Sequence, residues 1–312
     1  MQEVDLSRAQ VVPIQKKLYQ QKGVTLQVLR LDLIHPIISG NKWFKLKEYL
    51  SDAKALGKKK LVTFGGAFSN HIVATAAAGL QKGFDTFGII RGERPAQLSH
   101  TLQQAQELGM QLYFISREAY SNKWIPDEIA ALPDAYIIAE GGYGPKGALG
   151  ASTILDLVKQ QQFTHFAAAA GTGTMLAGLL MAATEKQTVM GISVLKNYTA
   201  LQEDVLKLIP KPKGKIDVLH QYHFGGYAKK NDALIQFMND WFAQTGIPSD
   251  FVYTGKLFFA INDLIEKGHF PQGTNLLIIH SGGLQGNASL PKGTLIYWAN
   301  LMATPIFVTL AE

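Results

Sequence analysis

"KLVTFGGAFSNHIVATAAAGLQK", residues 60–82, contains a strand, a turn and a helix in immediate succession. "KLVTF" (60–64) is an apolar run of strand length, and "SNHIVATAAAGLQK" (69–82) has the length and composition of a helix. Two glycines bend the chain between them, and Ser69 stands where it can cap the helix that follows. A continuously apolar strand that feeds a helix is the unit of a parallel sheet covered on both faces.

The same alternation runs along the chain. Strand-like "DTFGIIR" (85–91) precedes a helical "SHTLQQAQELG" (99–109) that closes on glycine, and "MQLYFIS" and "AYIIA" read as further strands. A helix is expected over "ASTILDLVKQQQ" (151–162), then strand "HFAAAAG" (165–171), helix 174–186 and strand 188–195. A helix near 200–209, a strand near 216–219, helices near 231–244 and 256–267 and the strand "NLLIIH" (275–280) complete the pattern. Glycines thicken in "GGYGPKGALG" (141–150), read as an internal boundary or a site loop. The apolar segment 289–312 reads as either a core strand or a subunit contact.

Composition narrows the function classes. The 312 residues are 47% hydrophobic and 17% charged, enough for a large core or two domains. There is no cysteine, which excludes disulfides, thiolate chemistry and cysteine-ligated zinc. A net charge of +6 favours small anions, and "GKKK" (57–60) reads as a solvated helix end rather than a nucleic-acid patch. No apolar run reaches the ~18–20 residues that span a bilayer, and the first residues lack a signal pattern, so neither membrane nor nucleic acid is an expected partner and a cytoplasmic location is the expectation.

In open parallel sheets ligands collect beyond the carboxyl ends of strands. Two such places stand out. In "FGGAFSNH" (64–71) a strand ends in glycines and a helix begins, so Ser69, Asn70, His71 and the free amides there suit a carboxylate or phosphate. In "AAGTGTMLAG" (169–178) the amides of residues 171–175 can wrap a phosphate. Each also has a purely structural reading, as a cap or a tight packing turn. The second is no P-loop, since no Gly-Lys-Ser/Thr follows, and no acid occurs in "GISVLKN" (191–197) to hold a dinucleotide ribose. A third segment, "SGNKWFKL" (39–46), sets Lys42 and Lys45 among a glycine and aromatics, which asks whether either amine is a chemical group.

Taken together and in order, "SGNKWFKL", "GGAFSNH", "AGTGT", "VYTGK" and "HSGG" resemble the pyridoxal-phosphate enzymes of the D-cysteine desulfhydrase and 1-aminocyclopropane-1-carboxylate (ACC) deaminase family, of the tryptophan synthase β-subunit fold group, over residues 10–290 or so. The resemblance implies an α/β fold of two open, mostly parallel sheets flanked by helices, with the cofactor in the cleft between two domains. A larger domain would comprise 1–48 and 149–312, and a smaller one, 49–148, would be inserted in it. It implies a small amino-acid substrate and a homodimer.

The resemblance also assigns residues. Lys42 is the Schiff-base lysine and Lys45 a supporting charge. Asn70 bonds the cofactor's 3-oxygen, while Ser69 and His71 flank the substrate carboxylate; many ACC deaminases have glutamine at the position of His71. Gly171, Thr172, Gly173, Thr174 and Met175 form the phosphate cup. Tyr227 and Tyr253 are active-site tyrosines, one near the ring and one near substrate. Thr254 faces the ring nitrogen, where ACC deaminases have glutamate. A neutral group there makes the ring a weaker electron sink, which suits loss of a β-leaving group after α-proton abstraction better than opening of the ACC ring. The implied reaction is β-elimination, with D-cysteine giving pyruvate, ammonia and sulfide. The alternatives are ACC deamination to 2-oxobutyrate and ammonia, and a non-catalytic phosphate- or nucleotide-binding module. Trp43 and Phe44 are expected to pack so as to dry the surroundings of the lysine.

Overall fold

The computed structural model describes residues 2–209 and 211–298. Its strands are β1 (Gln10–Ile14), β2 (Val24–Arg30), β3 (Lys60–Gly65), β4 (Asp85–Arg91), β5 (Gln111–Ile115), β6 (Ala135–Ile138), β7 (His165–Ala170), β8 (Thr188–Ser193), β9 (Lys215–Leu219) and β10 (Thr274–His280). The helices are α1 (Lys17–Gln21), α2 (Asn41–Ala55), α3 (Asn70–Lys82), α4 (His100–Glu107), α5 (Arg117–Ser121), α6 (Asp127–Ala130), α7 (Pro145–Ser152), α8 (Thr174–Ala182), α9 (Leu201–Lys207), α10 (Asp232–Thr245) and α11 (Thr254–Glu266).

The strands form two sheets. The larger runs β1-β2-β10-β7-β8-β9 and the smaller β5-β4-β3-β6. All described pairings are parallel except β1 with β2. Both sheets are therefore the open, helix-covered kind that the sequence predicts. The smaller sheet comes wholly from residues 60–138, while β10 returns late in the chain to lie between β2 and β7. β7 shows why these strands read as unbroken apolar runs. Phe166, Ala168 and Ala170 enter one core cluster and Ala167 and Ala169 the other, so both faces of the strand are buried.

Three local readings are corrected. Residues 10–30, left without strands in the sequence, form the β1–β2 pair; β1 is an exposed edge strand, where Pro13 is tolerated because no central ladder needs its amide. In "GGYGPKGALG" the site-loop reading holds only for 141–144, where Gly141 and Tyr143 line a cavity between the two sheets, because Pro145 starts α7 at a position that suits proline. Its glycines let helices touch: a Cβ on Gly150 would lie 1.9 Å from the Phe44 carbonyl of α2, and one on Gly178 would lie 2.5 Å from Ala151 Cβ. The expected helix over 151–162 is the end of α7 followed by two short 3-10 segments, Thr153–Leu157 and Gln160–Gln162.

"GKKK" is not a helix end but the turn beyond α2, which stops at Ala55; Gly57 turns at φ +65° and Lys60 already opens β3. Of the 289–312 segment, Leu290, Leu295 and Tyr297 pack into a core with Leu234, Met238 and Phe251; residues 299–312 lie outside the described residues. Among the described residues no helix is long and apolar enough to cross a membrane.

Candidate active site

The loops after β3, β6, β7, β8 and β10 and the last residue of β4, all at carboxyl strand ends, open onto one cavity of about 650 Å³ between the two sheets. The turn into α2 and the loop after β10 meet backbone to backbone. The Asn41 amide donates to the Ser281 carbonyl at 3.2 Å, and a Cβ on Gly40 would sit 1.8 Å from that oxygen. Gly40 also has φ +61°, so glycine is required twice over at the start of α2. This contact seats "SGNK" on "HSGG" and fixes where α2 points its first turn.

Lys42 and Lys45 are three residues apart and so share a face of α2, the face that lines the cavity. Lys42 Nζ donates to Asn41 Oδ1 at 2.9 Å. Burial brings this amine down to about 8, while the Asp250 carboxylate pulls it partway back up. Lys45 is only 5% exposed. Burial pushes its amine well below the usual lysine range, and the neighbouring Lys42, of like charge, pushes it further. The site thus holds one lysine that is roughly one-tenth neutral at pH 7 and a second, buried amine whose charged form is disfavoured.

Across the cavity, Ser69 takes the N-cap position of α3, but its hydroxyl makes no capping bond. The expected cap is therefore absent. The hydroxyl and the first amides of α3, which have no helical acceptor, line the cavity instead. Asn70 has a buried, unpartnered Oδ1. His71 is bonded through Nε2 to Thr63 Oγ1 at 2.9 Å, and Thr63 gives its single proton to the Ile138 carbonyl. Thr63 must then accept from His71 Nε2–H, which leaves Nδ1 as a bare, unpartnered acceptor. Burial first, then Lys42 and Lys45, disfavour the imidazolium. Such a ring offers no proton through Nδ1, although His71 does line the cavity beside Ser69 and Asn70.

Gly171, Thr172, Gly173 and Met175 line the same cavity at the start of α8, with Gly173 turned to φ +79°. Thr174 is fully buried, and its hydroxyl lies 3.1 Å from that of Thr172. Tyr227 and Tyr253 also face the cavity, edge to face with ring centres 6.0 Å apart. Burial raises both phenols, Tyr253 well above its ordinary value.

Thr254 does not reach the cavity wall. It is fully buried, its hydroxyl donates to Asp250 Oδ1 at 2.7 Å, and its amide donates to the same oxygen at 2.9 Å. Asp250 also gathers the amides of Val252 and Tyr253, so it binds the opening turn of α11 and consumes the threonine proton expected for a ring nitrogen. This is a correction with a clear cause, a local carboxylate cap that outcompetes a more distant partner. Asp250, Thr63 and Lys256 were not singled out from sequence, although Lys256 stands one turn beyond Tyr253 in "VYTGK".

A phosphate-bearing aldehyde fits these residues. A neutral amine suits the carbonyl carbon, Lys45 and the α8 amides suit a phosphate dianion, and Asn70 Oδ1 lacks a partner that a ring hydroxyl would supply. Among the described residues no cluster of ligands suits a metal ion. Fold and site together define a cofactor-dependent enzyme whose cleft binds a phosphate and presents a reactive lysine.

The chain belongs to the pyridoxal-phosphate dependent enzymes, whose family profile matches residues 10–282, and pyridoxal phosphate is its cofactor. This sets aside the non-catalytic binding module. A Pyrococcus abyssi protein provisionally named a 1-aminocyclopropane-1-carboxylate deaminase is 30% identical, over 88% of this chain and 89% of that one. A Klebsiella pneumoniae D-cysteine desulfhydrase is 25% identical, over 86% of this chain and 89% of that one. A crystal structure described as an ACC deaminase homologue superposes with a TM-score of 0.76 at 26% identity, covering 95% of this chain and 93% of the other.

The state of Lys42 has a kinetic consequence. An amine of pKa about 8 is roughly one-tenth neutral at pH 7 and mostly neutral at pH 9. Stopped-flow capture of pyridoxal phosphate by cofactor-free protein is therefore expected to speed up about ten-fold per pH unit below 7 and to level off above pH 8–9. An ordinary lysine would keep accelerating beyond pH 10.

Proposed function

We propose that this enzyme removes the β-substituent and the nitrogen of a small amino acid, with D-cysteine the preferred substrate and pyruvate, ammonia and sulfide the products. The observation that carries the reading is the convergence of Lys42, the amide-rich starts of α3 and α8, and Tyr227 and Tyr253 on one cavity. When bound, pyridoxal phosphate supplies an aldehyde carbon that links to amines and a ring that accepts electrons. Lys42 would hold it, and the same amine would be placed to carry the α-proton. The amides of 171–175 and Lys45 hold the phosphate. The 70–71 amides and the Ser69 hydroxyl hold the substrate carboxylate, which orients the α-carbon and excludes water from it. The two tyrosines, whose phenols stay protonated, are hydrogen-bond donors to the leaving group or ring. Residues 49–148 act as an inserted domain, and the assembly is a homodimer, both open to solution scattering.

Residue 254 supports elimination over ring opening. It is a buried threonine bound to Asp250, so position 254 brings no carboxylate to the cavity. ACC lacks an α-hydrogen, and opening its ring leans harder on a protonated cofactor. The second reading, ACC deamination to 2-oxobutyrate, is favoured by the names of the Pyrococcus relative and the solved homologue.

A panel of D- and L-amino acids and ACC, scored for 2-oxo acids, tests the choice. The expected result is pyruvate from D-cysteine with little 2-oxobutyrate from ACC. Turnover of ACC alone would establish the second reading.

A further inference from the structure

Lys256 is fully buried on α11, yet its amine meets no carboxylate oxygen within bonding distance among the described residues. It donates instead to two backbone carbonyls, those of His223 and Gly226, each at 2.8 Å. Both lie in the stretch between β9 and α10, which contains neither helix nor strand from 220 to 230. Four residues there hold positive φ: Phe224 (51°), Gly225 (94°), Gly226 (120°) and Ala228 (53°). Two of them carry side chains, for which this conformation is unfavourable. Local bonds from the Gly225, Gly226 and Lys229 amides support the run, but side-chain residues held at positive φ need support from outside it as well.

The segment carries Tyr227, one residue past the second clamped carbonyl, and Tyr227 closes over the cavity against Tyr253. Tyr253 and Lys256 are themselves three residues apart at the start of α11. One helical turn therefore presents one phenol and, through the lysine, fixes the other. We propose that Lys256 is a positioning residue that clamps the 223–226 turn so that the Tyr227 phenol is held at the cavity. Each carbonyl also accepts a backbone amide from within the segment, Gly226 N–H to His223 at 3.0 Å and Lys229 N–H to Gly226 at 3.1 Å, so the lysine is a second donor to both and ties the two turns to α11. The clamp rests on geometry alone, while its effect on turnover rests on the proposed reaction.

The test uses the cofactor-loaded chain and its Lys256→Met variant. Lys229 and Lys230 are exposed just beyond the clamp, and Lys59 is exposed far from it, in the turn after α2. Limited trypsin digestion followed by mass spectrometry should show cuts after 229 and 230 accelerated about ten-fold or more in Lys256→Met, with the cut after Lys59 unchanged. In kinetics, Lys256→Met should lower kcat/KM about ten-fold in the wild-type background and less than two-fold in a Tyr227→Phe background. Unchanged tryptic rates at 229 and 230, or equal losses in both backgrounds, would overturn the proposal. If Lys256→Met does not fold, Lys256→Gln is tested in the same way, with the same outcomes deciding. Digestion needs no substrate, so failure of the clamp and failure of the functional reading are told apart.

Discussion

Lys42→Ala is expected to abolish the visible absorption of the covalently held cofactor and to lower turnover by about four orders of magnitude or more. The size follows from two losses at once. The variant has no amine at the place where "SGNK" seats against "HSGG", and it has no base there to carry the α-proton. Lys45 is a poor replacement, because it stands one turn further along α2 with nothing but Lys42 acting on its charge. The protein should still fold, since Lys42 contributes no ion pair and its stem is only partly buried. Absorbance titration with pyridoxal phosphate, alongside thermal melting, checks both halves. Persistence of the band in a folded Lys42→Ala chain would move the anchor to another lysine.

Lys45→Met is expected to act in opposite directions on the empty and loaded protein. In the cofactor-free chain Lys45 is a buried amine whose charge is disfavoured by burial and by Lys42, and its replacement by an apolar side chain of similar length should raise the melting temperature. In the loaded protein the same change removes the charge proposed to face the phosphate, and affinity for pyridoxal phosphate should fall about 30-fold or more. A pH dependence accompanies this. The folded pKa of Lys45 lies below its unfolded value, so between the two the unfolded chain binds more protons and stability rises with pH. Below the folded pKa the full cost of burial is present; above about 10.5 it is gone. Lys45→Met should flatten that part of the slope. Melting temperature against pH, with and without cofactor, reads all three effects. Equal destabilisation of both forms would show that Lys45 packs rather than binds.

The parallel sheets were legible because their strands are short, apolar on both faces and followed at once by helices, as in residues 60–82 and 165–182. The β1–β2 pair was not, since an exposed edge strand with a proline lacks that apolar signature. The glycines of 141–150 serve two purposes that the sequence does not separate: Gly141 belongs to a loop on the cavity, and Gly150 makes a close helix contact marked by the facing Phe44 carbonyl. At the site, Ser69, Asn70 and the 171–175 turn could be found from the strand-to-helix junctions that carry them, and Lys42 from the resemblance carried by "SGNKWFKL". Roles that depend on which partner takes a proton could not. Thr254 spends its proton on Asp250 four residues back, and His71 has its tautomer fixed by Thr63 on β3. The aromatic pair after Lys42 is resolved in the same way: Phe44 turns into the main core at 1% exposure and Trp43 packs partly against it, which leaves the lysines facing the cavity.

Three buried or partly buried lysines, Lys42, Lys45 and Lys256, have amines brought below the ordinary range, and the account gives them three different tasks. Borohydride reduction of the cofactor-loaded protein, followed by digestion and peptide mass mapping, separates them in one measurement. The account predicts a single pyridoxyl group on Lys42. A pyridoxyl group on Lys45 or Lys256, with Lys42 unmodified, would contradict it.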